Sequence, residues 1–93
     1  MIKSFRDKHT ESVFRDKHAR GVPENIQQRA RRKLRMLDAA TVIEDLSTPL
    51  SNRLEKLHGN RRGQYSIRIN DQWRLCFVWE VCDALDVEIV DYH

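Results

Sequence analysis

Asp91, Tyr92 and His93 close the sequence, placing a carboxylate, a phenol and an imidazole directly after the apolar alternation of Leu85, Val87 and Ile89. Upstream, the segment GNRRGQYSIRINDQWR at positions 59–74 sets Arg61, Arg62, Arg68 and Arg74 in one sheet-like stretch, with His58 just before it. These side chains suit phosphodiester chemistry on RNA. An RNA chain carries its own nucleophile, the 2′-hydroxyl, which attacks the adjacent phosphate once it is deprotonated and aligned, leaving a 2′,3′-cyclic phosphate and a 5′-hydroxyl. A protein accelerates this with a base, an acid and cations. Acid or base assistance contributes roughly 10²–10⁴-fold, and placed donors to the developing phosphorane charge add roughly 10²–10³-fold.

Histidine titrates nearest neutrality, so His93 and His58 are the candidate proton carriers. Arg61, Arg68 and Arg74 offer forked guanidinium donors to phosphate oxygens. Tyr92 is suited to stacking on a splayed base or to donating a hydrogen bond, and Asp91 to orienting His93 or serving as a base. Taken singly, each residue has an ordinary role: terminal histidines decorate surfaces, and strand arginines pair with acids such as Glu88. It is the combination that points to a site. His9 and His18 are read as structural, and Trp73 and Trp79, alternating with Leu75 and Phe77, as core.

Charge is segregated along the chain. Positions 25–37 hold Arg29, Arg31, Arg32, Lys33 and Arg35 with no acid, and 53–74 hold Arg53, Lys56, Arg61, Arg62, Arg68 and Arg74 against Glu55 and Asp71. Positions 75–93 reverse the sign, with five acids and no Lys or Arg. Behind a formal net charge of only +3 lies a basic field fit for a polyanion, with an acidic end fit for a basic partner. Lys56, Arg61, Arg62 and Arg68, with Arg31, Arg32 and Arg35, are the candidate RNA-binding residues.

Ninety-three residues form one domain, 1–93, since a chain this size buries only roughly 60–65% of its unfolded surface and cannot feed two cores. A 40% apolar share beside 33% charged favours a folded globule over disorder. No stretch approaches the roughly 18 apolar residues of a membrane span, so a cytoplasmic protein without membrane contact is expected. Cys76 and Cys82 form no CxxC and no His/Cys metal spacing, so no metal or other cofactor is expected and Cys76 reads as a small buried apolar residue.

The elements that must position the candidates follow from periodicity. Ile2 to Arg6 reads as an opening strand. Thr10 offers an N-cap for a first helix carrying Val13 and Phe14, closed by Gly21. Pro23 suits a first helical position, and Ile26, Ala30, Leu34 and Leu37 then make one apolar helical stripe. Thr41 with Glu44 has capping-box spacing for a short turn to Leu46, and 47–61 reads as loop. Three alternating runs complete the chain: Tyr65/Ile67/Ile69, Trp73/Leu75/Phe77/Trp79 and Leu85/Val87/Ile89. The expected fold is α+β, in the order β-α-α-β-β-β, with helices on one face of an antiparallel sheet. FRDKH recurs at Phe5 and Phe14, an offset too short for a structural repeat.

Strand parity sorts the candidates by face. If Ile67, Leu75 and Phe77 meet the helices, then Ser66, Arg68, Arg74, Glu88 and Tyr92 share the opposite face and Asp91 does not. Arg68, Arg74 and Tyr92 are thus expected to converge on an open positive surface.

The stretch GNRRGQYSIRINDQWRLCF, followed by VEIVDYH, closely resembles the HigB-type killer proteins of the RelE/ParE toxin superfamily, and MIKSF at the start and LDAAT at 37–41 are similar as well. The resemblance covers essentially all 93 residues. It implies a compact RelE-like fold and a bacterial type II toxin that cuts translated mRNA in the ribosomal A site. It also implies a HigA-type helix-turn-helix antitoxin as partner, with operator DNA bound only through that antitoxin. The family's terminal acid, tyrosine and histidine fall on Asp91, Tyr92 and His93, its strand arginine on Arg74, and its basic residue before the GxR motif on His58. A loop histidine used by some members falls on Glu55. The general base is therefore open among His58, His93, Asp91 and Glu55. The competing expectations are a ParE-like gyrase poison, which has no need of the terminal tyrosine and histidine, and a ribosome-binding module that does not cleave.

Overall fold

The apolar stripe read from the sequence drives the longest element. In a computed structural model, which describes residues 1–92, Glu24–Ala39 forms helix α2. Ile26, Ala30, Leu34 and Leu37 recur on its buried side, each 4% exposed or less. Burying one such leucine or isoleucine contributes about 1.5–3 kcal/mol of transfer free energy. Pro23 caps this helix from outside, so Glu24 takes the first helical position and sets its carboxylate at the positive end of the helix dipole.

Helix α1 spans Lys8–Phe14. Its cap is Asp7, whose carboxylate accepts the Thr10 N–H at 2.7 Å; the expectation of Thr10 as cap is corrected. Thr10 lies fully buried within the helix, and its hydroxyl accepts the Ile89 N–H at 2.9 Å, a use for that oxygen that draws it into the core. The helix ends well before Gly21. The connecting segment is pinned instead by the buried Gln27 amide, which donates to the Ala19 and Val22 carbonyls at 3.0 and 2.9 Å.

Strands β1 (Glu55–Lys56), β2 (Gln64–Arg68), β3 (Trp73–Glu80) and β4 (Asp83–Asp91) form an antiparallel sheet in the order β1-β2-β3-β4. Its inner face carries Ile67, Leu75, Phe77 and Val87 against Val13, Leu34, Leu37 and Leu46, all fully buried. Trp73 and Trp79 pack against this core as partly buried residues. The α+β layering expected from the sequence is the one observed.

Four local expectations change. The Ile2–Arg6 strand is reduced to two isolated parallel bridges, Ile2 to Ala84 and Phe5 to Val87. Between those contacts Asp86 sits at φ 51°, and this bulge interrupts the β4 edge that a continuous strand would need. The same bulge shifts parity, so that Ala84 rather than Leu85 joins Val87 in full burial. In the 41–47 region Asp45, not Glu44, receives the Thr41 and Val42 N–H groups, at 2.9 and 3.3 Å, and these bonds hold its carboxyl below the usual range. Finally, the stretch read as loop contains β1 and 3₁₀ turns at Leu50–Asn52 and Gly59–Arg61. Glu55 and Lys56 are both exposed, so β1 leaves no alternation to read.

Asn52 anchors that stretch to α2. Fully buried, it accepts a hydrogen bond from Lys33 Nζ at 2.5 Å and donates to the Leu46 carbonyl at 3.1 Å. Arg53, at φ 45° and ψ 57°, then turns the chain towards β1 and the outer face of the sheet.

Candidate active site

The outer face is organised around a buried arginine. Register sets Ser66 opposite Cys76 and Arg68 opposite Arg74, while β4 brings Val90 beside Arg74 and Glu88 beside Cys76. Arg74 is only 9% exposed. Its Nε donates to Ser66 Oγ at 2.8 Å, and its Nη2 donates to the Arg53 carbonyl at 2.6 Å. Nη1 faces the Glu55 carboxylate at 4.0 Å, an ion pair without hydrogen-bond contact. The fork is thus held by two of its nitrogens, with the third turned towards a carboxylate in an open cavity.

That cavity, of about 340 Å³, is lined by Arg53, Glu55, Arg68, Asn70, Asp71, Arg74 and Tyr92. Among the described residues three cations face two acids there, so that lining is positive. The Tyr92 ring lies with its centroid 5.9 Å from the Arg74 guanidinium carbon, within range for a cation–π contact. Tyr92 is tethered by its N–H, which donates to the Gln72 carbonyl at 2.6 Å.

Beneath this site sits Cys76, fully buried on the outer face. Burial pushes its thiol up from the ordinary value, against the pull of Arg61 and of its hydrogen bond with Tyr92. Burial likewise raises the Tyr92 phenol, and the neighbouring Cys76 adds to the rise. Near neutral pH Tyr92 therefore keeps its proton, which suits it to donating a hydrogen bond and not to acting as a base.

The structure joins Arg68, Arg74 and Tyr92 in one cavity, as parity expects. Arg68 is also ion-paired with Asp71 across the β2–β3 turn. Asp91 is the last residue of β4, in register with Trp73, and accepts the Gln72 side-chain amide at 3.1 and 3.2 Å; it does not line the cavity. His58, Lys56 and Arg62 are exposed outside its lining. Arg61 is outside the lining too, donating to Glu88 at 2.7 Å and to Gln64 at 3.1 Å. On α2, Arg31 donates from Nε to the Val13 carbonyl at 2.9 Å and pairs with Asp16 at 3.1 Å, which ties the two helices together. Arg32 and Arg35 are exposed on the same helix. His93 lies outside the described residues.

Glu55 and Arg53 reach the cavity through β1 and the turn before it. Sequence reasoning weighed Glu55 as a base only through the family pattern and counted Arg53 only as charge. Ser66 was placed on the correct face by parity, but nothing in its residue type marked it as the clamp on Arg74.

The family described as RelE-like toxin of type II toxin-antitoxin system HigB matches residues 3–93. The chain is 45% identical over 80 residues to Toxin HigB-1 of Vibrio cholerae serotype O1, covering 85% of this chain and 84% of that one. It is 34% identical over 93 residues to Endoribonuclease HigB of Proteus vulgaris, with both chains covered in full. Among solved structures, the YoeB–YefM complex from Staphylococcus aureus contains a chain matching at a TM-score of 0.61 and 17% identity, over 100% of this chain and 98% of that one, a likeness of fold. Among the described residues no helix is long and apolar enough to cross a membrane.

Proposed function

This chain belongs to the HigB family of RelE-like toxins of type II toxin-antitoxin systems, and from that footing we propose that it is an endoribonuclease that cuts translated mRNA in the ribosomal A site. The observation that carries this reading is the clamped Arg74, with one guanidinium nitrogen turned to Glu55 and its central carbon over the Tyr92 ring in an open positive cavity. A guanidinium fixed in place stabilises phosphorane charge without reorganising during the reaction.

In this reading the scissile phosphate sits against Arg74 Nη1, with Arg68 and Arg53 supporting its charge. Glu55 takes the proton of the 2′-hydroxyl, whose oxygen bonds to phosphorus as the bond from phosphorus to the 5′-oxygen breaks. The departing 5′-oxygen gains a proton and the other fragment ends in a 2′,3′-cyclic phosphate. Tyr92, protonated near neutrality, donates to the phosphate or stacks on a base. His93, the terminal imidazole, is the group proposed to protonate the leaving oxygen.

The partner is an antitoxin, as membership in a toxin-antitoxin family entails, and we take it to be of the HigA helix-turn-helix type, carrying the pair to operator DNA. Ribosome and mRNA are the remaining partners, which sets the work in the cytoplasm.

The test is 5′-end mapping of cellular RNA after brief induction. Discrete cuts within codons of translated messages, bearing 5′-hydroxyl ends, are expected. Intact transcripts accompanied by gyrase-linked DNA breaks would instead make the chain a gyrase poison, and ribosome association without cuts would make it a binding module.

A further inference from the structure

A second cavity of about 480 Å³ opens where α2 meets the β2–β3 turn. Arg29, Arg32 and Lys33 line it from the helix, Arg68 enters from the sheet, and among the described residues Asp71 is its only acid. Met36 and Ile69 supply apolar surface. It adjoins the first cavity, because Arg68, Asn70 and Asp71 line both.

Its charge is unbalanced. Lys33, whose Nζ also donates to Asn52, has its ammonium lowered from the ordinary value chiefly by burial, and the positive charge of Arg29 adds to that. The one counter-charge, Asp71, has a side chain 95% exposed on a turn and pairs with Arg68. An ion pair that exposed contributes little, so an incoming phosphate can take Asp71's place. Forked guanidiniums bind phosphate oxygens in pairs, and apolar surface beside them can receive a base.

Building on the RNA-cleaving reading, we propose that this second cavity is a subsite for single-stranded RNA. It holds a phosphate flanking the cleavage site on Arg29, Arg32 and Lys33, while Asp71 occupies Arg68 until RNA displaces it. The strand crosses the β2–β3 turn from Arg74 to α2. Continuity with the first cavity through Arg68 favours RNA over an acidic peptide as the occupant.

The test uses the full chain and 2′-O-methyl oligoribonucleotides, which cannot be cut because the nucleophile is blocked, of two and five nucleotides, with binding followed by fluorescence anisotropy across a salt series. The five-mer is expected to bind more tightly than the dinucleotide. Replacing both Arg29 and Arg32 by glutamine should weaken five-mer binding about tenfold and flatten its logarithmic salt slope by about 0.7 per lost phosphate contact, with a much smaller loss for the dinucleotide. Asp71→Asn should tighten five-mer binding. No gain with length in the unaltered chain, an equal loss for both lengths, or a five-mer indifferent to the α2 substitutions would overturn the proposal. So would a double variant that keeps its RNA affinity but no longer binds purified antitoxin. End mapping on the unaltered chain judges the cleavage reading separately: codon-internal cuts together with length-independent binding would sink the subsite alone.

Discussion

Arg74 and the arginines of α2 are the same residue type put to opposite uses. Arg74 is sequestered, its Nε and Nη2 bound to Ser66 and the Arg53 carbonyl. Arg29, Arg32 and Arg35 stand exposed on a helix whose fold depends on the other face. A fixed guanidinium can be shaped to a transition state, because its orientation is set before substrate arrives. An exposed one adds attraction to any polyanion and is screened by salt. Under the proposed function the difference separates chemistry from capture, and it can be broken or sharpened experimentally.

The sharpest break is Arg74→Ala. Loss of one positioned donor costs about 10²–10³-fold in rate, so single-turnover cleavage on programmed ribosomes should fall by about that factor while ribosome association changes little. Arg74→Lys should recover only part of the rate, since an ammonium cannot reproduce the fork that Ser66 and Arg53 hold. Equal losses of cleavage and association would put Arg74 in the same class as the α2 arginines.

Ser66→Ala should come next. It leaves the buried Nε without its 2.8 Å partner, a penalty of about 1–3 kcal/mol for an unsatisfied donor. Ser66 touches Arg74 and acts through it as a positioning residue, so the loss should lie in kcat more than in KM. Ser66→Thr keeps the hydroxyl and should restore much of the rate. A variant that lowers thermal stability yet cleaves normally would reduce the clamp to a packing feature.

Much of this contrast was legible in the sequence because it rests on periodicity. The helical stripe of Ile26, Ala30, Leu34 and Leu37 and the strict alternation in 64–80 fix which side chains face out, and so bring Arg68, Arg74 and Tyr92 together. What escaped depended on tertiary decisions. Asp7 and Thr10 are both good caps by residue type, and only the demand of the Ile89 N–H for a buried acceptor separates them. The two exposed residues of β1 carry no pattern, so the route by which Glu55 reaches Arg74 is visible only once Asn52 has pinned the chain to α2. The Asp86 bulge was equally silent, since a one-residue insertion in β4 reads as continued alternation until the register with β3 is known.

A smaller effect tests the comparison from the other side, because Arg31 lies within the basic run of α2 yet is engaged as a structural tie. Arg31→Ala removes its bond to the Val13 carbonyl and its pair with the 71% exposed Asp16. The bond contributes about 1 kcal/mol, and the pair, screened by solvent on the Asp16 side, adds a few tenths at most. Chemical denaturation should register that loss, while RNA affinity and its salt slope should stay close to those of the unaltered chain. A flattened salt slope with unchanged stability would return Arg31 to the binding surface.

The smallest expected effect, absent at neutral pH, comes from the pair beneath the clamp. Cys76 and Tyr92 both have pKa values raised in the folded chain, chiefly by burial. Above the ordinary cysteine value of about 8.5, the unfolded chain releases a proton that the folded chain still holds. The unfolded state then binds fewer protons, so stability must fall as pH rises. Below that value both states are protonated and the contribution is flat. Denaturation midpoints followed from pH 7 into the alkaline range should therefore decline, and Cys76→Ala should make the decline shallower by removing the first of the two groups to titrate. The ring of Tyr92 also rests near Arg74, so ionising the phenol places a negative charge beside the guanidinium proposed to hold phosphate. Cleavage should weaken over the same rise in pH in the unaltered chain, and Tyr92→Phe, which keeps the ring and loses the titration, should remove that part of the weakening; an alkaline profile identical in both would detach the phenol from the clamp.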